Sequence, residues 1–166
     1  MSSMFYVAAV IAVLSTIMIL TRLNAFHALL YLVVSLLAVA VVFYFLGATF
    51  VAALEVIIYA GAIMVLFIFV VMFLNLGNRA LEQERAWMNP RTVVGPAILA
   101  ALLIVEFGVA LIWAPRAAPS IRAVGPKAVG AAMYGPYLIG VELASLLLLG
   151  ALVGAYHLGT RAEKQG

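Results

Sequence analysis

The sequence predicts an all-α, polytopic integral membrane protein of five transmembrane helices, and two observations carry that reading. Of 166 residues, 68% are hydrophobic and 9% charged, with a mean hydropathy of +1.27. A soluble domain carries about a quarter charged residues. The apolar residues are also gathered into runs, at 4–20, 27–46, 48–76, 93–114 and 137–157, separated by short polar or glycine- and proline-rich stretches. About 20 residues rising 1.5 Å each cross a hydrocarbon core about 30 Å thick, so each run is long enough to span. In that medium a helix satisfies its own backbone groups, which is why an apolar run is read as a helix.

The first run carries no charge and no positive leader before it, so it is expected to remain in the membrane. Residues 21–26, with Arg22 and Asn24, make a tight hairpin to the second run, and the uncharged Gly47 makes another to the third. The connection at 77–92 contains Leu81-Glu-Gln-Glu-Arg-Ala-Trp87. There Glu82 and Arg85 are spaced to pair on a helix, and Trp87 suits the headgroup level. It reads either as a solvated interfacial turn or as a contact with another subunit. The 115–136 connection holds Pro115, Pro119, Pro126 and Pro136 and is too broken to span, so a partly ordered external loop is expected. No repeat is visible, and the chain is expected to be one membrane domain over 1–166.

Basic residues in short loops accumulate on the cytoplasmic side. Arg22, Arg79, Arg85, Arg91, Arg161 and Lys164 fall on one side of the five spans, and Arg116, Arg122 and Lys127 on the other. The N-terminus is therefore expected outside and the C-terminus in the cytoplasm. The net charge of +3 is scattered singly among the loops, which is no footprint for nucleic acid.

The third run departs most from a plain span. At 1.5 Å per residue, 48–76 reaches about 43 Å and must tilt, protrude or bend. It carries Glu55, Tyr59 four residues on, and the small block Ala60-Gly61-Ala62. Residues four apart share a helix face, so Glu55 and the Tyr59 hydroxyl fall on one polar stripe. Gly61 costs about 1 kcal/mol relative to alanine in a helix interior. The compensation is either close approach of a neighbouring helix or a hinge at which the helix changes hydrogen-bond register through a π-bulge.

Glu55, Glu106 and Glu142 all fall towards the expected outer half of the membrane. An intramembrane carboxyl is a candidate proton carrier, with a hydrogen-bonding, structural role as the alternative. No Lys or Arg lies within the span cores, so partners must be Tyr or Ser hydroxyls, water or another chain. Glu106, in Val-Glu-Phe-Gly, has no local partner in sequence and reads as a protein-facing or partner-satisfied acid. His27 and His157 each stand alone at a span end, so no metal site is expected. Most tyrosines, Tyr31 and Tyr44 among them, fall near span ends as an aromatic belt would. The chain lacks cysteine and aspartate and has no phosphate loop, dinucleotide fingerprint or nucleophile with a paired base. NADH binding and redox chemistry are therefore not expected of this chain alone.

The run Glu55-Val-Ile-Ile-Tyr-Ala-Gly-Ala-Ile-Met-Val-Leu-Phe67 and its continuation resemble the third helix of the J-subunit family of bacterial NADH:quinone oxidoreductase, respiratory complex I. The resemblance extends to 27–48 before it, and to Gly95–Leu99 and 135–159 after it. It implies a membrane-arm subunit that carries no cofactor of its own. FMN, iron–sulfur clusters, NADH and quinone would sit in or act at other subunits. Partners would be other membrane-arm subunits, including the quinone-site and antiporter-like ones, together with lipid, in a bacterial inner (plasma) membrane. The family's third helix is π-bulged around Tyr-Ala-Gly-Ala, and its return to α-helix accompanies opening or closing of a water path. Carried over by residue, Glu55, Tyr59 and Glu142, the last in Val-Glu-Leu-Ala-Ser, would serve a proton path or coupling. Gly61, Met64, Val65 and Phe67 would form a hinge or gate. The alternatives are a structural scaffold of the membrane arm and a homologous subunit of a cation/proton antiporter complex.

Overall fold

The computed structural model describes residues 2–22, 25–74, 90–113 and 124–163. It is all-helical over these residues, and five of its helices are long and apolar enough to cross a membrane. The helices are α1 (Ser2–Thr21), α2 (Ala25–Phe45), α3 (Thr49–Leu54), a π-helical segment (Glu55–Ile63), α4 (Met64–Leu74), α5 (Pro90–Trp113), α6 (Pro126–Met133) and α7 (Leu138–Glu163). The third span is thus one continuous helix made of α3, the π segment and α4. The motif containing Glu82, Arg85 and Trp87 lies outside the described residues.

Two compact units result, Met1–Ala123 and Val124–Gly166. In the first, α1, α2 and α5 close around Ala8, Ile11, Val34, Ala38, Phe45, Leu103 and Ala110. Small residues let the backbones approach where lipid offers no hydrophobic drive for helix association. Ala8 and Ala38 are fully buried.

The corner between α2 and the third helix is built by Gly47. Its φ of 81° is a left-handed conformation that glycine adopts without a Cβ penalty. The Gly47 amide donates to Tyr44 O at 3.0 Å and the Ala48 amide to Phe43 O at 3.0 Å. This pair of bonds satisfies carbonyls at the end of α2 and stops the helix as a Schellman motif does.

In α5, Pro96 lies inside the helix without breaking it. A Cβ on the preceding Gly95 would collide with the Tyr31 hydroxyl. Tyr31, expected in an interfacial belt, is instead 6% exposed, because Gly95 opens room for its ring against α5. The Arg22 guanidinium lies 5.4 Å from the centre of the same ring.

In the second unit, Gly125 is extended and Pro126 opens α6, where proline's missing amide costs nothing. Part of the 115–136 connection is therefore helical. In α7, Val141 is half-buried and every other residue through Gly159 is exposed within that unit. Such a helix has its apolar face open for lipid or for another chain.

Candidate functional site

The site is the middle of the third span. From Glu55 to Ile63 the backbone is π-helical, and the regular α-helix resumes at Met64, whose amide reaches Tyr59 O, five residues back. A single Gly61 stands inside this wider turn, and its placement has a local cause. A Cβ at position 61 would lie 3.2 Å from Val56 O, a backbone atom five residues earlier. That approach belongs to the π register, and a glycine relieves it.

Glu55 opens the segment and is half-buried. Tyr59 is 49% exposed. Both lie in the segment as expected, but among the described residues no hydrogen bond joins them. The predicted hinge and gate residues divide. Met64 is 1% exposed, whereas Val65 and Phe67 are 63% and 51% exposed. Met64 thus ends the π segment on the packed side of the helix, and the other two look outward from the unit. The π segment and α4 pack against α2.

Beside the start of the π segment lies an apolar groove of about 360 Å³, between α2, the third helix and α5. Val41 and Tyr44, Ala52 and Val56, and Leu103 and Phe107 are among the residues that line it. Tyr44 meets Phe107 edge to face, with ring centres 5.2 Å apart. The groove has shape but almost no polar chemistry. Among the described residues there is also no group of His, Cys, Asp or Glu that could hold a metal ion.

Glu142 lies in the other unit, exposed on α7. Nearby, the Ser145 hydroxyl donates to Val141 O at 2.9 Å, within the helix itself. The acid placed third by sequence, Glu106, is the one the fold encloses. It is 8% exposed, its carboxyl lies by the backbone of Ala8 on α1, and among the described residues neither oxygen finds a side-chain partner. Its face of α5 also carries Leu103 and Ala110, three residues before and four after, which only the fold marks as core.

Residues 15–158 match the family model described as NADH-ubiquinone/plastoquinone oxidoreductase chain 6. A protein named NADH-quinone oxidoreductase subunit J from Pseudomonas aeruginosa is 57% identical over 97% of this chain and 98% of its own length. One of the same name from Escherichia coli (strain K12) is 51% identical over 98% of this chain and 88% of its own. A third, from Buchnera aphidicola subsp. Schizaphis graminum, is 44% identical over 96% and 98% respectively. A match over residues 15–158 and similarity along nearly the whole length show that the chain belongs to the family of NADH-ubiquinone/plastoquinone oxidoreductase chain 6, alongside the bacterial J subunits.

Proposed function

We infer that the chain is a membrane-arm subunit of a proton-translocating NADH:quinone oxidoreductase, and that its third helix couples quinone reduction to proton movement by changing register. The observation that carries this reading is the π-helical segment Glu55–Ile63, with an ionisable residue at its head and a glycine inside it. A π turn holds one residue more than α-helical geometry accommodates. Its relaxation to α-helix therefore rotates α4 by about 100°, the angular step of one residue, and advances it by about 1.5 Å. Phe67 and Val65 would sweep across the surface they now present, exchanging an apolar plug for a gap beside Glu55 and Tyr59. That is a two-state element of the kind coupling requires.

The redox chemistry belongs elsewhere in the complex. Without cysteine the chain has no thiolate for an iron–sulfur cluster, and in this reading FMN and the NADH and quinone sites are also carried by other subunits. Its own partners would be the quinone-site and antiporter-like subunits, set against the faces that the third helix and α7 leave uncovered. The loop charges favour an external N-terminus, in a bacterial inner membrane.

The test is Gly61→Leu in the assembled complex. NADH oxidation by a soluble acceptor should persist, while proton pumping linked to quinone falls by about tenfold, the effect of roughly 1.4 kcal/mol on the switching equilibrium. Full pumping in that variant would remove the switch from the mechanism. Glu55→Gln separates the scaffold reading, since the amide keeps shape and hydrogen bonding without carrying a proton; a pure scaffold would pump unchanged.

A further inference from the structure

The first unit carries a second set of polar groups that the third helix does not use. On α2, His27, Tyr31 and Ser35 recur every four residues and so share one face. His27 Nε2 is buried without a hydrogen-bond partner among the described residues, and Tyr31 is buried against Gly95. Ser35 Oγ meets Thr16 Oγ1 of α1 at 3.0 Å. Both hydroxyls turn on the Ala12 carbonyl, Thr16 at 2.8 Å and Ser35 at 3.3 Å. Next in α1 is Ser15, fully buried, whose hydroxyl likewise has no partner. Ser15, Ile11 and Ala8 lie on one face of α1, and this face packs into the core with Leu103 and Ala110 of α5. Glu106 lies between those two on the same face of α5, beside the Ala8 backbone, with both oxygens buried and without a side-chain partner among the described residues.

We propose that Glu106 is a proton-binding site in the interior of the α1–α2–α5 packet, loaded by water that enters at His27 and follows Tyr31, the Thr16–Ser35 pair and Ser15. Buried polar atoms without protein partners are where ordered water sits, each molecule needing two to four polar neighbours. Among the described residues, the packing elements offer Glu106 no counter-ion. α1 contains no charged residue and one tyrosine, Tyr6; α2 supplies His27, Tyr31 and Tyr44; the other charge on α5 is Arg91, fifteen residues and about 22 Å away along the helix. An unpaired carboxylate in such surroundings is costly, so a proton or water is what the site takes. The apolar core residues Ile11 and Leu103 stand one turn from Ser15 and from Glu106 respectively. Ser15 and Ala8 are seven residues, about 10 Å, apart along α1, and water must cross that interval for a proton to reach Glu106. Exchange at this site is therefore slow and is controlled from both sides of the interval.

The experiment is infrared spectroscopy of the whole oxidoreductase complex in lipid nanodiscs, in H2O and after transfer to D2O. The Glu106 carboxyl is identified as the protonated C=O band that disappears in Glu106→Gln, or moves in Glu106→Asp should the amide variant fail to assemble. We expect such a band, with its deuterium shift developing about tenfold more slowly in Ser15→Ala, one hydrogen bond's worth of a lost relay position. It should develop faster in Ile11→Ala. Ser15 has no hydrogen bond to lose among the described residues, so its alanine variant tests the path without breaking one, and Ser35→Ala is the second relay variant. Absence of any band assignable to Glu106 would overturn the site, showing the carboxyl ionised and satisfied by a donor from another subunit. A band whose exchange is unchanged in both serine variants would overturn the path. The readout is spectroscopic, so it stands or falls independently of coupling at the third helix.

Discussion

The α1–α2–α5 packet and the third helix solve opposite problems with similar materials. Each has an acid in an apolar span and a glycine at a critical position. In the packet the backbone is regular α-helix even at Gly95–Pro96, and Glu106 is sealed inside. In the third helix the backbone departs from α geometry for nine residues, and its acid is half-buried with an exposed tyrosine beside it. Irregularity thus accompanies the polar group that faces out of the unit, and regularity the one that is enclosed. In a membrane, irregular backbone is tolerated where protein or water covers it. The third helix is therefore the face that needs a neighbour at its polar groups, while the packet encloses its own.

The largest expected effect contrasts two residues three apart on that helix. Met64→Ala removes a side chain 1% exposed and should destabilise the first unit by about 2 kcal/mol or more through lost packing. Phe67→Ala, at a position 51% exposed, should cost less than about 0.5 kcal/mol within the unit. Thermal unfolding of the purified chain in mild detergent measures both. Equal losses would erase the distinction between the inner and outer faces. Next comes Gly95→Ala, which sets a methyl against the Tyr31 hydroxyl and should cost about 1–3 kcal/mol by overpacking. Tyr31→Phe in the same chain removes the colliding oxygen and should recover most of the loss. The smallest effect is the coupling between Thr16 and Ser35, whose hydroxyls lie 3.0 Å apart. A double-mutant cycle with Thr16→Val and Ser35→Ala should give about 0.6 kcal/mol, the usual worth of an interhelical hydrogen bond in a membrane.

The five spans are legible in the sequence because apolar length alone specifies them, and Gly47 is legible because only a tight corner explains it between two spans. The π segment can be suspected from Glu55, Tyr59 and Gly61, which each cost something in an ordinary apolar helix. Helix rotation is not legible. In a span that is apolar all round, no amphipathic stripe marks the packed face, since lipid is as apolar as leucine. For that reason sequence alone ranks Glu106 below Glu55 and Glu142, although the fold buries it most. Nearness to a span end points Tyr31 to the interfacial belt, whereas its position is set by the room at Gly95, on a helix more than sixty residues later. The outward setting of Val65 and Phe67, against the inward Met64, likewise comes from how the π segment phases α4 and not from residue type.

The corner at Gly47 has a mechanical consequence. Its paired bonds to Phe43 and Tyr44 hold the head of the third helix to the end of α2, so that end behaves as a clamp. A rod clamped at one end and wound in the middle delivers its twist to the other. Any register change between Glu55 and Ile63 would therefore be exported along α4, giving the movement a direction set by a single left-handed glycine.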